Sequence, residues 1–122
     1  MTALEIGSKY VAMCKDGKYD ECIDALFAKD ALSVEAGAPQ GGDEPTAKGV
    51  DAIHAKGKWW TDNHIVHKAE VSGPYPHGDR FAVRFVFDFT DKPSQKRMTM
   101  DEIGLFTVEN DKITREEFFY TS

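Results

Sequence analysis

The residues best suited to chemistry are carboxylates in places that normally exclude them. Asp101, Glu102, Glu116 and Glu117 lie in two runs rich in β-branched, aromatic and apolar residues, 98–108 and 113–120. Strands disfavour Asp and, less strongly, Glu. These four acids therefore need solvent on one face or a task in a pocket. Strand alternation divides them. Met100, Glu102, Gly104 and Phe106 share one face, and Thr114, Glu116, Phe118 and Tyr120 share a face of the returning strand. If the face holding Gly104 is concave, a pocket receives Glu102, Glu116, Phe118 and Tyr120. Two carboxylates facing one partly apolar cavity push each other's pKa apart, which makes an acid and a base from like groups. The competing reading turns them to solvent or pairs them with Arg84 or Arg115 across strands.

A fifth acid, Glu35, ends a short alternating run, Ala31 to Ala36, just before a stretch rich in glycine and proline. A carboxylate at a cavity mouth can abstract a proton next to a carbonyl if burial raises its pKa towards neutrality. The alternative is a surface glutamate at a strand end. Tyr10 can donate to a developing oxyanion, or simply pack on a sheet with its hydroxyl reaching water or a carbonyl. Trp59, Trp60, Phe85, Phe87, Phe106 and Phe118 offer an aromatic wall for a planar, mainly apolar ligand, and core packing accounts for the same residues. His67 on a strand can line that pocket or face solvent. His54, His64, His67 and His77 make no metal-binding set by spacing, and Cys14 and Cys22 match no ligand pattern. No dinucleotide, phosphate-loop or nucleophile-elbow motif occurs, so acid–base chemistry without a cofactor is the most economical enzymatic reading.

Bulk properties narrow the classes. The chain has 122 residues, 41% hydrophobic and 30% charged, with a formal net charge of -6. That size suits one domain, residues 1–122, around one core. The acidic balance, with no concentrated run of Lys and Arg, argues against a nucleic-acid partner. No apolar run is long enough for a membrane span, and the first ten residues lack the basic-then-apolar order of a signal peptide. A cytoplasmic location is expected, with both cysteines as buried free thiols.

These residues must be positioned by regular elements. Leu4, Ile6, Tyr10, Val11, Met13 and Cys14 recur at helical spacing over residues 2–16, and Gly17 suits the C-terminal cap. A second helix places Tyr19, Cys22, Ile23, Leu26 and Phe27 on one side, with Asp20 at its start. The short strand from Ala31 follows, then a loop over residues 37–49. A third helix runs from Val50 to about Asn63, with Ile53, Lys56 and Trp60 sharing a side. The remainder reads as strands. Ile65 to Ser72 is one. Phe81 to Thr90 is the clearest, with Phe81, Val83, Phe85, Phe87 and Phe89 on one face. The closing hairpin turns at Glu109 to Lys112, with Asn110 and Asp111 able to take positive φ. Helices first and a strand meander last predict an α+β fold with an antiparallel sheet.

This pattern resembles the nuclear transport factor 2-like superfamily, and within it the SnoaL-like polyketide cyclases and ketosteroid isomerases. The resemblance rests on Tyr10 to Glu35, on Lys48-Gly49-Val50-Asp51-Ala52-Ile53, and on Asn110 to Tyr120. It implies a cone-shaped, curved antiparallel sheet wrapped around three N-terminal helices (a cystatin-like fold), a small apolar organic ligand and a homodimer formed through the convex face. It implies a cofactor-independent isomerase or cyclase, with a non-catalytic binding or dimerisation module as the alternative. By position, Tyr10 matches the family's oxyanion-donating tyrosine and Glu35 its general base, an aspartate in ketosteroid isomerases. Gly104 falls where a protonated aspartate stands, and Glu102, two residues away on the same face, or Glu116, can supply a replacement acid.

Overall fold

The structure, a computed structural model, describes residues 1–36 and 46–120. Thr2 opens helix α1 (Ala3–Lys15) with a reciprocal cap. Its hydroxyl accepts from the Glu5 amide at 3.2 Å, and the Glu5 carboxylate accepts from the Thr2 amide at 3.1 Å. Such a box satisfies two otherwise orphaned donors. Gly17, at φ 72°, ends the helix as its spacing predicts, and the Gly17 and Lys18 amides donate back to Cys14 and Met13. Helix α2 (Tyr19–Leu26) begins one residue before Asp20, which sits in the first turn and does not cap it. There its charge favours the helix dipole. Helix α3 (Val50–Asn63) spans the predicted residues, despite Gly57 in its middle.

Six strands follow or interleave: β1 (Phe27–Val34), β2 (Thr46–Lys48), β3 (His64–His77), β4 (Arg80–Asp91), β5 (Lys96–Glu109) and β6 (Lys112–Phe119). They form one sheet in the order β2-β1-β6-β5-β4-β3. The sheet is mixed, not wholly antiparallel: β1 and β6 run parallel, and every other pair is antiparallel. The hairpin reading of the last strands concerned only neighbours in sequence. The parallel pair joins elements at opposite ends of the chain, which local pattern does not report. β1 starts four residues earlier than expected. β3 continues through Gly73–Pro76 with irregular register, where the glycine and prolines predicted a turn. β2 occupies the end of the stretch read as a loop, and residues 37–45 of that loop lie outside the described residues.

Parity works for β4 and β5. Phe81, Val83, Phe85 and Phe89 are buried beneath the helices, with Phe106 and Val108 beside them. Asn110 and Asp111 take φ 52° and 64°, and Glu109 pairs with Lys112, as the hairpin reading requires. Parity fails at one point of β6. A register shift beside Thr107 and Val108 brings Ile113 into the core at 0% exposure, although alternation assigned it to the outer face. An extra residue on one strand inverts the alternation beyond it. No helix of the described residues is long and apolar enough to cross a membrane.

Candidate functional site

Strand register arranges the inner face in rows. Ser33 pairs with Glu116, Glu116 with Phe106, and Phe106 with Phe81. In the next row Phe118 pairs with Gly104, and Gly104 with Val83. In the third, Glu102 pairs with Phe85. Glu35 and Tyr120 continue β1 and β6 on the sides of Ser33 and Phe118. The inward side of β1 is thus Ala31, Ser33 and Glu35, while its more apolar residues, Leu32 and Val34, take the outer face.

Helix α3 supplies the group that organises these acids. Lys56 Nζ lies 2.5 Å from Glu35 Oε1 and donates to Ser33 Oγ at 2.6 Å. It also sits 5.1 Å from the centroid of the Phe118 ring, a cation–π distance. The side chains of Lys56 and Glu35 are only 22% and 16% exposed. A pair this sheltered is screened far less than a surface pair.

The other two carboxylates carry perturbed protons. Burial pushes Glu116 up to about 7; Lys56 opposes the rise, Glu35 adds to it, and a hydrogen bond with Ser33 lowers it. Glu102 also rises to about 7, first through burial and then through the Glu35 charge, against Lys56 and with a further contribution from Glu116. Tyr120 is pushed up to about 12 by burial, by the Glu35 charge and by a hydrogen bond with that carboxylate. Desolvation and like charge both favour the neutral acid. Near neutral pH, Glu102 and Glu116 therefore hold their protons part of the time, beside a Glu35 paired with Lys56.

The structure brings Glu35, Glu102, Glu116, Phe118 and Tyr120 together. Phe85 borders them, its ring centroid 6.3 Å from that of Phe118. Tyr10 and Phe106 lie one layer deeper. Tyr10 is 7% exposed, with ring centroids of Phe106, Phe81, Phe27 and Phe85 at 4.5, 6.1, 6.4 and 6.4 Å. Its hydroxyl is held well above its ordinary pKa by burial, then by Cys14, and only thirdly by the Glu116 charge. Trp60 packs with Phe87 and Phe89 and stacks on His64 at 4.4 Å, and the Trp59 ring meets His64 edge-on at 5.9 Å. These residues form a second aromatic group towards the end of α3, joined to Phe85 through Phe87, whose ring stacks on it at 5.9 Å. His67 is not brought to the cluster. It is exposed on β3 and hydrogen-bonds Thr90 Oγ1 at 2.7 Å, because the register shift beside it turns the ring away. Arg84 binds Asp101 and Arg115 binds Glu117, so both arginines pair with outward-facing acids and neither pairs with Glu102 or Glu116.

Two residues were missed. Ser33 follows from the parity of Glu35. Lys56 had a clearer signal: it is a cation in the helix stripe that also carries Ile53 and Trp60. A lysine on a core-facing stripe requires an acidic partner. Two shallow grooves, of about 360 and 590 Å³, lie away from this cluster, one beside Thr2 and Asp111 and one across Asp30, Arg80 and Arg115. Among the described residues, no group of three His, Cys, Asp or Glu side chains is placed to hold a metal ion.

Comparison with known proteins shows the family and the fold. The SnoaL-like domain model matches residues 1–120. A solved structure from Mesorhizobium loti, whose name gives both SnoaL-like polyketide cyclase and carbohydrate phosphatase, is 42% identical, with a TM-score of 0.92 over 98% of this chain and 100% of that one. A nuclear transport factor 2-like protein from Burkholderia xenovorans is 20% identical, with a TM-score of 0.71 over 98% and 88% of the two chains. A Bacillus subtilis protein named as an isomerase is 16% identical, with a TM-score of 0.74 over 98% and 86%. The latter two share the fold. No curated protein matches the chain. With the family model spanning nearly its whole length and a 42% identical relative covered from end to end, the chain belongs to the SnoaL-like domain family.

Proposed function

We propose that this domain is a cofactor-independent isomerase or cyclase that moves protons on a small apolar carbonyl compound. The observation that carries the reading is the convergence of Glu35, Glu102 and Glu116 around Lys56 on the inner face of the sheet. Glu35, held in its ion pair with Lys56, acts as the base. Glu116 and Glu102, each raised to about 7, return a proton. A catalytic acid works best when its pKa is near the operating pH. The rings of Phe85 and Phe118 suit an apolar ligand body. Tyr10 is enclosed by rings, so it supports the acids from below in this reading. The cyclase and isomerase names of similar structures are compatible with this chemistry and name no substrate for this chain.

Glu35→Gln tests the reading. Hydrogen–deuterium exchange at the α-carbon of a small cyclic ketone, followed by NMR in D2O, is expected with the unaltered protein and should fall by about 10²–10⁴-fold in the variant. Equal exchange rates would exclude Glu35 as the base. The second reading, a non-catalytic binding or dimerisation module, is favoured by the closed packing around Tyr10. It predicts no exchange above the solvent rate with either protein.

The buried free thiols Cys14 and Cys22 suit a reducing, cytoplasmic setting. Pairing of two copies through the outer sheet face is supported by Ile103 and Phe119, cross-strand partners that are 39% and 52% exposed. The neighbouring charges Arg84–Asp101 and Arg115–Glu117 are already neutralised within the face. Sedimentation velocity should find a dimer that Phe119→Asp dissociates; a monomeric unaltered protein would contradict the pairing.

A further inference from the structure

We infer that Lys56 is a catalytic cation: it receives the negative charge that develops on the ligand oxygen when Glu35 removes a proton. The inference rests on the acid–base reading above and specifies its electrophile.

The geometry points to this role in three ways. An ammonium has three donors. Lys56 places one on Glu35 and one on Ser33, and among the described residues the third has no polar partner. Below it lies the face of Phe118, which tolerates a cation without consuming a donor. Lys56 is also the one cation among the described residues that acts on both Glu102 and Glu116. The nearby hydroxyls are less available, since Tyr120 is engaged with Glu35 and Tyr10 is enclosed by rings.

The charge flow is balanced. Glu35 takes the proton from the α-carbon. The electrons of the broken C–H bond form the new C=C bond, and the carbonyl π pair moves to oxygen. One negative charge leaves the carboxylate and appears on the ligand, while Lys56 stays between the two. Its contact with Glu35 weakens as its contact with the enolate oxygen forms. Glu116 or Glu102 then supplies a proton to carbon, and the proton held on Glu35 restores the acid that gave one up. The ligand class follows. It is neutral and carries a carbonyl with an adjacent C–H. A permanent anion would be repelled by Glu35 and by Glu102 and Glu116 once they lose their protons.

The acids facing Lys56 set how the site responds to pH. They are Glu35 at the end of β1, Glu102 on β5 and Glu116 on β6, with Tyr120 neutral. As Glu102 and Glu116 lose their protons, the site turns negative and an oxyanion is expelled. The chosen probe is 4-nitrophenol, whose phenolate is a stable oxyanion with its own absorbance. The unaltered protein should favour the bound phenolate by at least about tenfold in ionisation, a one-unit fall in its pKa. Lys56→Met should abolish that preference, Lys56→Arg should retain part of it, and Glu35→Gln should strengthen it by releasing the cation. In the unaltered protein labelled with ¹⁵N-lysine, the Lys56 Nζ resonance should move on adding the probe, a readout that does not require the methionine variant to fold. Phenolate favoured equally with Lys56→Met, an unmoved Nζ resonance, or no binding of the probe at millimolar concentration would each overturn the role of Lys56. Failure of the acid–base reading shows separately, as absent ketone exchange in a protein whose Lys56 still favours the phenolate.

Discussion

Gly104→Asp is expected to destabilise the domain by at least about 4 kcal/mol instead of adding an acid to the site. By the chain's resemblance to the ketosteroid isomerases, Gly104 falls where those enzymes carry a protonated aspartate, so the substitution looks restorative on paper. The space is already taken. A Cβ on Gly104 would lie 2.8 Å from Phe106 Cε1, 3.1 Å from its Cζ and 3.2 Å from Phe118 Cε1. Phe106 cannot swing aside, because it is fully buried and stacked on Phe81 at 4.8 Å with an interplanar angle of 5°. Overpacking of this kind costs roughly 1–3 kcal/mol by itself. A carboxylate without a partner, forced between two phenyl rings, adds several more. For a domain of this size the thermal midpoint should fall by more than about 15 °C. Gly104→Ala isolates the steric part and should cost roughly 1–3 kcal/mol. A stable Gly104→Asp protein would mean that the Phe106 and Phe118 rings move far more freely than their packing implies.

The second large effect is a stability that falls as pH rises through the range where most domains are insensitive. Glu102 and Glu116 are raised in the folded state from 4.5 to about 7. Below 4.5 both states hold these protons. Between 4.5 and 7 the unfolded chain releases them first, so each increment of pH favours unfolding. Above 7 both states are ionised and the loss is complete. Asp88 and Asp101 work in the opposite sense. Their arginine partners hold them below the usual carboxylate range, so their contribution fades in acid. Both are solvent-facing pairs and weigh less than the buried glutamates. The urea midpoint should therefore peak on the acid side, near pH 4–5, and decline to a plateau above 7. Glu116→Gln should flatten that decline, since it keeps the shape of the acid and removes its titration.

The cluster was partly legible in the sequence for a physical reason. In β4, β5 and most of β6, side-chain direction depends only on alternation, so residue numbers group Glu102 with Gly104 and Glu116 with Phe118; which face turns inward is decided by the packing of the helices. Ile113 could not, because a register shift is a property of two strands together. The choice left open for His67, pocket or solvent, turns on the same feature: β3 shifts register beside it, and the ring is exposed. The parallel pairing of β1 with β6, which sets Ser33 beside Glu116, joins segments some eighty residues apart and leaves no local trace. Tyr10 lies on the helix and face that its spacing predicts. Its depth depends on how closely four phenyl rings gather around it, and only tertiary packing decides that. Lys56 was visible as a cation on a buried stripe, and its significance came from the acids that the sheet delivers beneath it.

The central claim is that two of these glutamates keep protons near neutral pH because the fold buries them beside a third. A ¹³C NMR titration of side-chain carboxyls in glutamate-labelled protein, with Glu102→Gln and Glu116→Gln to assign the signals, measures this without any ligand. The account predicts two carboxyls titrating near 7, each falling when the other, or Glu35, is neutralised. Both carboxyls titrating near the ordinary 4.5, unmoved by Glu35→Gln, would contradict it.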